Sequence, residues 1–88
     1  MQQERRTEPR VEVRLPLRLA NGETGITRDI SSQGLFFEMD DECNLADEIE
    51  LSVGLNLHGR TVWQENQYKV IRVERQQGFM CVAVQLLS

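Results

Sequence analysis

Apolar residues occupy every second position from Val11 to Leu19, with Val11, Val13, Leu15, Leu17 and Leu19 on one parity and Glu12, Arg14, Pro16 and Arg18 on the other. A period of two buries one face of a pleated strand and wets the other, so this stretch predicts a β-strand. Proline has no N–H to give a ladder, which places Pro16 at a sheet edge or a bulge. Asn21-Gly22 predicts a tight hairpin turn, because both residue types accept positive φ, and a second strand is expected from Glu23 to Ile30. Gly34 opens a third strand through Leu35, Phe36, Phe37 and Met39, and the acidic run from Asp40 to Asp47 predicts a long solvated loop. Ile49, Leu51, Val53, Leu55 and Leu57 alternate again and give a fourth strand. Beyond a turn at His58-Gly59, two shorter strands are expected over 60–65 and 68–74, and Gln76-Gln77-Gly78 turns the chain into a closing strand from Phe79 to Leu87.

Six or seven short strands without a 3.6-residue period predict an all-β fold, a small antiparallel barrel. The closing strand is apolar on both faces, with Phe79, Cys81 and Ala83 on one and Met80, Val82 and Val84 on the other. Part of it is therefore expected to be covered by a partner, and a homodimer is one such arrangement.

At 88 residues, 40% of them hydrophobic, the chain can bury one compact core and not two. The expected division is a flexible N-terminal segment over 1–10 and a barrel over 11–88. No stretch has the roughly 18 to 20 apolar residues of a membrane helix, and no apolar segment follows the polar N-terminus, so a cytoplasmic protein without membrane insertion is expected. Cys43 and Cys81 are too few for a disulfide scaffold and are expected as thiols. The net charge of -4 argues against nucleic-acid binding, which usually needs a broad basic face. Yet Arg5, Arg6, Arg10, Arg14 and Arg18 hold five of the ten basic residues within the first 18 positions. A local cationic site on an acidic protein suits a small anion better than a polymer.

Two polar signatures flank the first hairpin: Arg5-Arg6-Thr7-Glu8-Pro9-Arg10 and Asp29-Ile30-Ser31-Ser32-Gln33-Gly34. The guanidinium offers donors in a rigid plane that fork onto a phosphate or onto guanine O6 and N7, and its face stacks on a purine. A carboxylate at Asp29 is the complementary acceptor for guanine N1–H and N2–H. Together these groups look like a site for an anionic purine nucleotide.

With Arg6-x-x-x-Arg10, a hairpin, and then Asp29-x-Ser31-x-x-Gly34, the sequence resembles the PilZ domain family, whose defining motifs are RxxxR and [DN]xSxxG. Leu35-Phe36-Phe37, Val70-Ile71-Arg72-Val73 and Val82-Ala83-Val84-Gln85-Leu86 extend the likeness over essentially the whole chain. The resemblance implies a six-stranded split barrel that acts as a non-catalytic receptor for the bacterial second messenger cyclic di-GMP and relays it to a protein partner. It places Arg6 and Arg10 on a mobile segment over the ligand's phosphates and guanine edge. Asp29 and Ser31 would lie beside the base, Gly34 would permit the turn that presents them, and Arg5 would add a contact to a stacked ligand pair. The segment is expected to fold down only with ligand, because an arginine-poor surface gives its arginines little reason to dock. No resident cofactor is implied.

Other readings of the same residues are a solvated tail for Arg5, Arg6 and Arg10 and a plain turn for Asp29 to Gly34. Arg14, Arg18 and Arg28 are expected on solvent faces, and Trp63 and Tyr68 in barrel packing or a protein interface. His58 has no second histidine or adjacent cysteine, so neither a metal site nor a hydrolytic triad is expected. A degenerate barrel serving only as a protein adaptor is the second functional reading. An oligonucleotide-binding barrel is disfavoured by the acidic balance and by 6% aromatic content.

Overall fold

In the computed structural model, residues 9–87 are described. Seven strands make up this part of the chain: β1 (Val11–Glu12), β2 (Pro16–Leu19), β3 (Thr24–Ile30), β4 (Gly34–Met39), β5 (Glu48–Leu57), β6 (Arg60–Arg75) and β7 (Met80–Leu86). The sheet runs β1-β3-β2-β5-β6-β7-β4, and β4 pairs back onto β3, so six strands close an antiparallel barrel while β1 lies along β3 as an addition. Leu17, Phe37, Leu51, Met80 and Val82 fill the interior, at 0–1% exposure. Each such side chain contributes about 1.5–3 kcal/mol on burial.

The stretch expected as one strand from Val11 to Leu19 is two. Its alternation persists, but the ladder breaks at Val13 to Leu15, where the Thr27 side chain enters the gap. The Thr27 hydroxyl accepts from Leu15 N–H at 2.8 Å and donates to Val13 C=O at 2.5 Å, and Thr27 is fully buried. Pro16 begins β2, where β5 pairing starts only at Leu17, so its missing N–H interrupts no ladder.

The two short strands expected over 60–65 and 68–74 are one. β6 is a single strand of 16 residues, because the polar stretch Gln64-Glu65-Asn66-Gln67 keeps its register against β5 without a turn. The His58-Gly59 turn has φ of 55° and 78°, the two positive values that match the twist of a two-residue hairpin. Glu50 and Glu65 face each other diagonally across this β5–β6 ladder. A hydrogen bond and the charge of Glu65 push the Glu50 carboxyl above its ordinary range. A raised folded-state value favours folding at acid pH and loses that contribution as pH rises through it. Glu50→Gln should therefore raise the melting temperature at pH 7, and the gain should vanish as pH falls into the ordinary carboxylate range, which thermal melts across pH would show.

The acidic connection from Asp40 to Asp47 is not simply solvated. Cys43 is buried in the core cluster, and Leu45 packs against it. Gly78 N–H donates to Asp41 Oδ2 at 3.2 Å, and Arg75 Nη1 donates to Asp41 C=O. Burial, with the charge of Glu23, pushes the Cys43 thiol up, away from the reactive thiolate. Both cysteines are unpaired thiols. The cover expected over β7 from a partner is supplied at Cys81 by the chain itself, since Cys81 is 4% exposed and Arg28 Nη1 lies 3.7 Å from its sulfur.

Candidate functional site

Arg10 directly precedes β1, whose pairing of Glu12 with Asp29 and Val11 with Ile30 brings it to the second motif. Arg10 Nε and Nη2 donate to Asp29 Oδ1 at 3.0 and 2.6 Å. Both donors converge on one carboxylate oxygen, and Oδ2 takes neither. Ser31 shapes the turn beyond β3: its N–H donates to Gly34 C=O at 2.9 Å, and its hydroxyl accepts from Gln33 N–H at 3.3 Å. Arg5 and Arg6 lie outside the described residues.

Gly34 has a different requirement from the turn freedom expected of it. It opens β4 opposite Gln85, and a Cβ there would stand 2.2 Å from the Val84 carbonyl oxygen. The glycine is what lets β4 close against β7. Gly34→Ala should cost about 1–3 kcal/mol through displaced backbone, measurable as a lower denaturant midpoint.

Two register irregularities decide which side chains join this face. In β3 the pairing slips between Thr27 and Asp29, so Thr27 points inward opposite Phe37 while Asp29 turns outward opposite Phe36. In β6 it slips between Val70 and Arg72, so Val70 lies opposite Val84 and Arg72 lies outward opposite Ala83. An extra residue in a strand flips everything after it to the other face. The barrel therefore carries an outer row Asp29, Phe36, Ala83 and Arg72, in register across β3, β4, β7 and β6.

Around the row the surface is not arginine-poor. Arg28 and Arg14 both pair with Glu38, at 3.0 and 3.6 Å. The guanidinium carbons of Arg28 and Arg72 lie 5.8 and 5.9 Å from the Phe36 ring centre. A cleft of about 390 Å³ is lined by Glu12, Val13, Arg14, Arg28, Asp29 and Phe36. A second hollow of about 320 Å³ is lined by Ser31 and Gly34, by the apolar Leu35, Val53, Leu55 and Leu86, and by the polar Gln64, Asn66 and Tyr68, with no cation. Only the first suits an anion with an aromatic base. Arg18 instead stacks on Trp63 at 3.8 Å, and Tyr68 is a core residue, so neither aromatic contributes to this cleft.

Phe36 and Arg72 were not among the sequence candidates. The usable signal was a phase change: inward positions Thr27 and Ile30, and again Val70 and Val73, are separated by three residues where an unbroken strand would separate them by two.

The chain is a closed six-stranded barrel with a paired arginine and aspartate beside an arginine-lined cleft. The sequence matches the family model of the PilZ domain over residues 4–88, and the chain belongs to that family. PilZ domains are generally non-catalytic receptors for cyclic di-GMP. Among solved structures, the chain is similar to the Bacillus subtilis inhibitor of motility (MotI/DgrA), with a TM-score of 0.80 and 16% identity over 97% of this chain and 43% of that one. It is also similar to the PilZ domain of CeSA from a cellulose-synthesizing bacterium, with a TM-score of 0.56 and 20% identity over 91% of this chain and 82% of that one. At these identities the likeness shows the fold, and the chain spans less than half of the Bacillus subtilis protein. No curated protein matches the sequence. Among the described residues no helix is long and apolar enough to cross a membrane.

Proposed function

We propose that this PilZ domain is a receptor for cyclic di-GMP, relaying the ligand through a change in conformation or in the binding of a protein partner. The observation that carries the reading is the Arg10–Asp29 pair, two donors on one carboxylate oxygen, at the mouth of an arginine-lined cleft. A guanine base would take the acceptor that Asp29 Oδ2 still offers for N1–H and N2–H. Arg10, with Arg6 and Arg5 ahead of it in the sequence, would supply planar donors for phosphate and for guanine O6 and N7. Ser31 would hold the turn that sets Asp29 at the cleft edge. Because Arg10 already has an acidic partner, the ligand would redirect an existing ion pair and shift the population toward a closed segment.

Isothermal titration of the protein with cyclic di-GMP, with GTP and cyclic di-AMP as controls, tests the reading. Selective binding at micromolar affinity or tighter is the expected result. A folded sample that gives neither heat nor thermal stabilisation would refute it and leave the adaptor function.

A further inference from the structure

The two bulges turn Asp29 and Arg72 onto one row with Phe36 between them, and nothing in the family motifs requires the far half of that row. From this geometry we infer that Phe36 and Arg72 extend the nucleotide site across β4 and β7 to β6, an extension that rests on the receptor reading above. Phe36 is the stacking platform for the ligand's second base, and Arg72 holds its second phosphate.

Strands are spaced about 4.8 Å apart, so Asp29 and Arg72, three strands apart in the row, stand about 14 Å apart at the backbone. A ligand with two bases and two phosphates has matching groups to present at both ends, whereas a mononucleotide does not. Ala83, between Phe36 and Arg72, is small enough to leave the ring reachable from outside. Arg72 Nε lies 2.9 Å from Glu74 Oε2, and its guanidinium carbon lies 5.9 Å from the centre of the Phe36 ring, so the ring holds the group at this face whether or not the Glu74 pair is made. Arg28 approaches the same ring from the β3 side and is itself the extra residue of the first bulge. An aromatic face flanked by guanidinium groups is suited to stack a base and pair its phosphate at once. Bulges commonly re-aim a side chain beside a site, and here both do so toward the same row.

Titrating cyclic di-GMP into the full chain and its Arg72→Gln, Phe36→Leu, Arg72→Lys and Glu74→Gln variants tests the extension. Arg72→Gln and Phe36→Leu should each weaken binding by about 5- to 150-fold, with circular dichroism unchanged. Arg72→Lys, which keeps the charge without the plane, should fall between them and wild type. Glu74→Gln removes the same ion pair from its other side and should not weaken binding. Wild-type affinity in Arg72→Gln or Phe36→Leu, or an equal loss in Glu74→Gln, overturns the extension. If Arg10→Ala still weakens binding in that case, the receptor reading stands without it, whereas a wild-type protein that binds nothing overturns both.

Discussion

Replacing Thr27 with valine, nearly the same shape without the hydroxyl, is expected to cost about 2–6 kcal/mol, because two partly buried backbone groups lose their partner at about 1–3 kcal/mol each. Leu15 N–H donates to that hydroxyl and Val13 C=O accepts from it, so a single side chain satisfies both sides of the break between β1 and β2. Thr27 N–H still donates to Leu15 C=O at 2.9 Å in the variant, which keeps the strands adjacent and confines the loss to the two orphaned groups. Against a total stability of about 5–15 kcal/mol for a domain, the change is large. Chemical denaturation should show a lower midpoint with an unaltered slope, and Thr27→Ser should retain most of the stability by retaining the hydroxyl. A midpoint for Thr27→Val equal to wild type would mean that the break is satisfied some other way.

Arg10→Ala is expected to do the opposite: about 1–3 kcal/mol of cyclic di-GMP affinity lost, roughly 5- to 150-fold, with little change in melting temperature. Its pair with Asp29 is partly exposed, at 39% and 22% of the two side chains, and such pairs contribute about 0–1 kcal/mol to folding. Asp29→Asn should likewise spare the fold while weakening selection of guanine over adenine. Parallel titrations and melts separate the two effects. A substitution at Arg10 that melts the barrel would make the pair structural, and its place in a ligand site would fall.

Much of this architecture could be taken from local pattern. The third strand, the turns at Asn21-Gly22, His58-Gly59 and Gln76-Gln77-Gly78, and the alternation of β2 and β5 each depend on neighbouring residues alone, and those expectations match the structure. Features that depend on distant partners were not legible. The break at Val13 to Leu15 is made by a threonine on another strand, and β6 continues through a polar stretch because β5 continues opposite it. Cys43 and Leu45 sit in an acidic run whose composition points to solvent, yet they dock on the core.

The candidate site divides along the same line. Arg10, Asp29, Ser31 and Gly34 are motif residues, and the structure brings the first two into contact and places the others at the adjoining turn. Asp29 and Arg72 reach the face that Phe36 presents only through two one-residue slips in register, one in β3 and one in β6. Neither slip is marked by glycine or proline, so composition gives no cue, and only the changed spacing of inward positions betrays it. The physical role of Gly34 was hidden for a similar reason, since its constraint is a carbonyl on β7 some 50 residues away in the chain.

The central claim is that the outer face around Asp29 receives cyclic di-GMP, and amide chemical-shift mapping of the isotopically labelled full chain during titration tests it most directly. The account predicts ligand-dependent shifts concentrated at Arg10 to Arg14, Arg28 to Ser31 and Phe36, with the turn at His58-Gly59 unmoved. Shifts confined to the second hollow, around Leu55, Gln64 and Leu86, or none at saturating ligand, would contradict it.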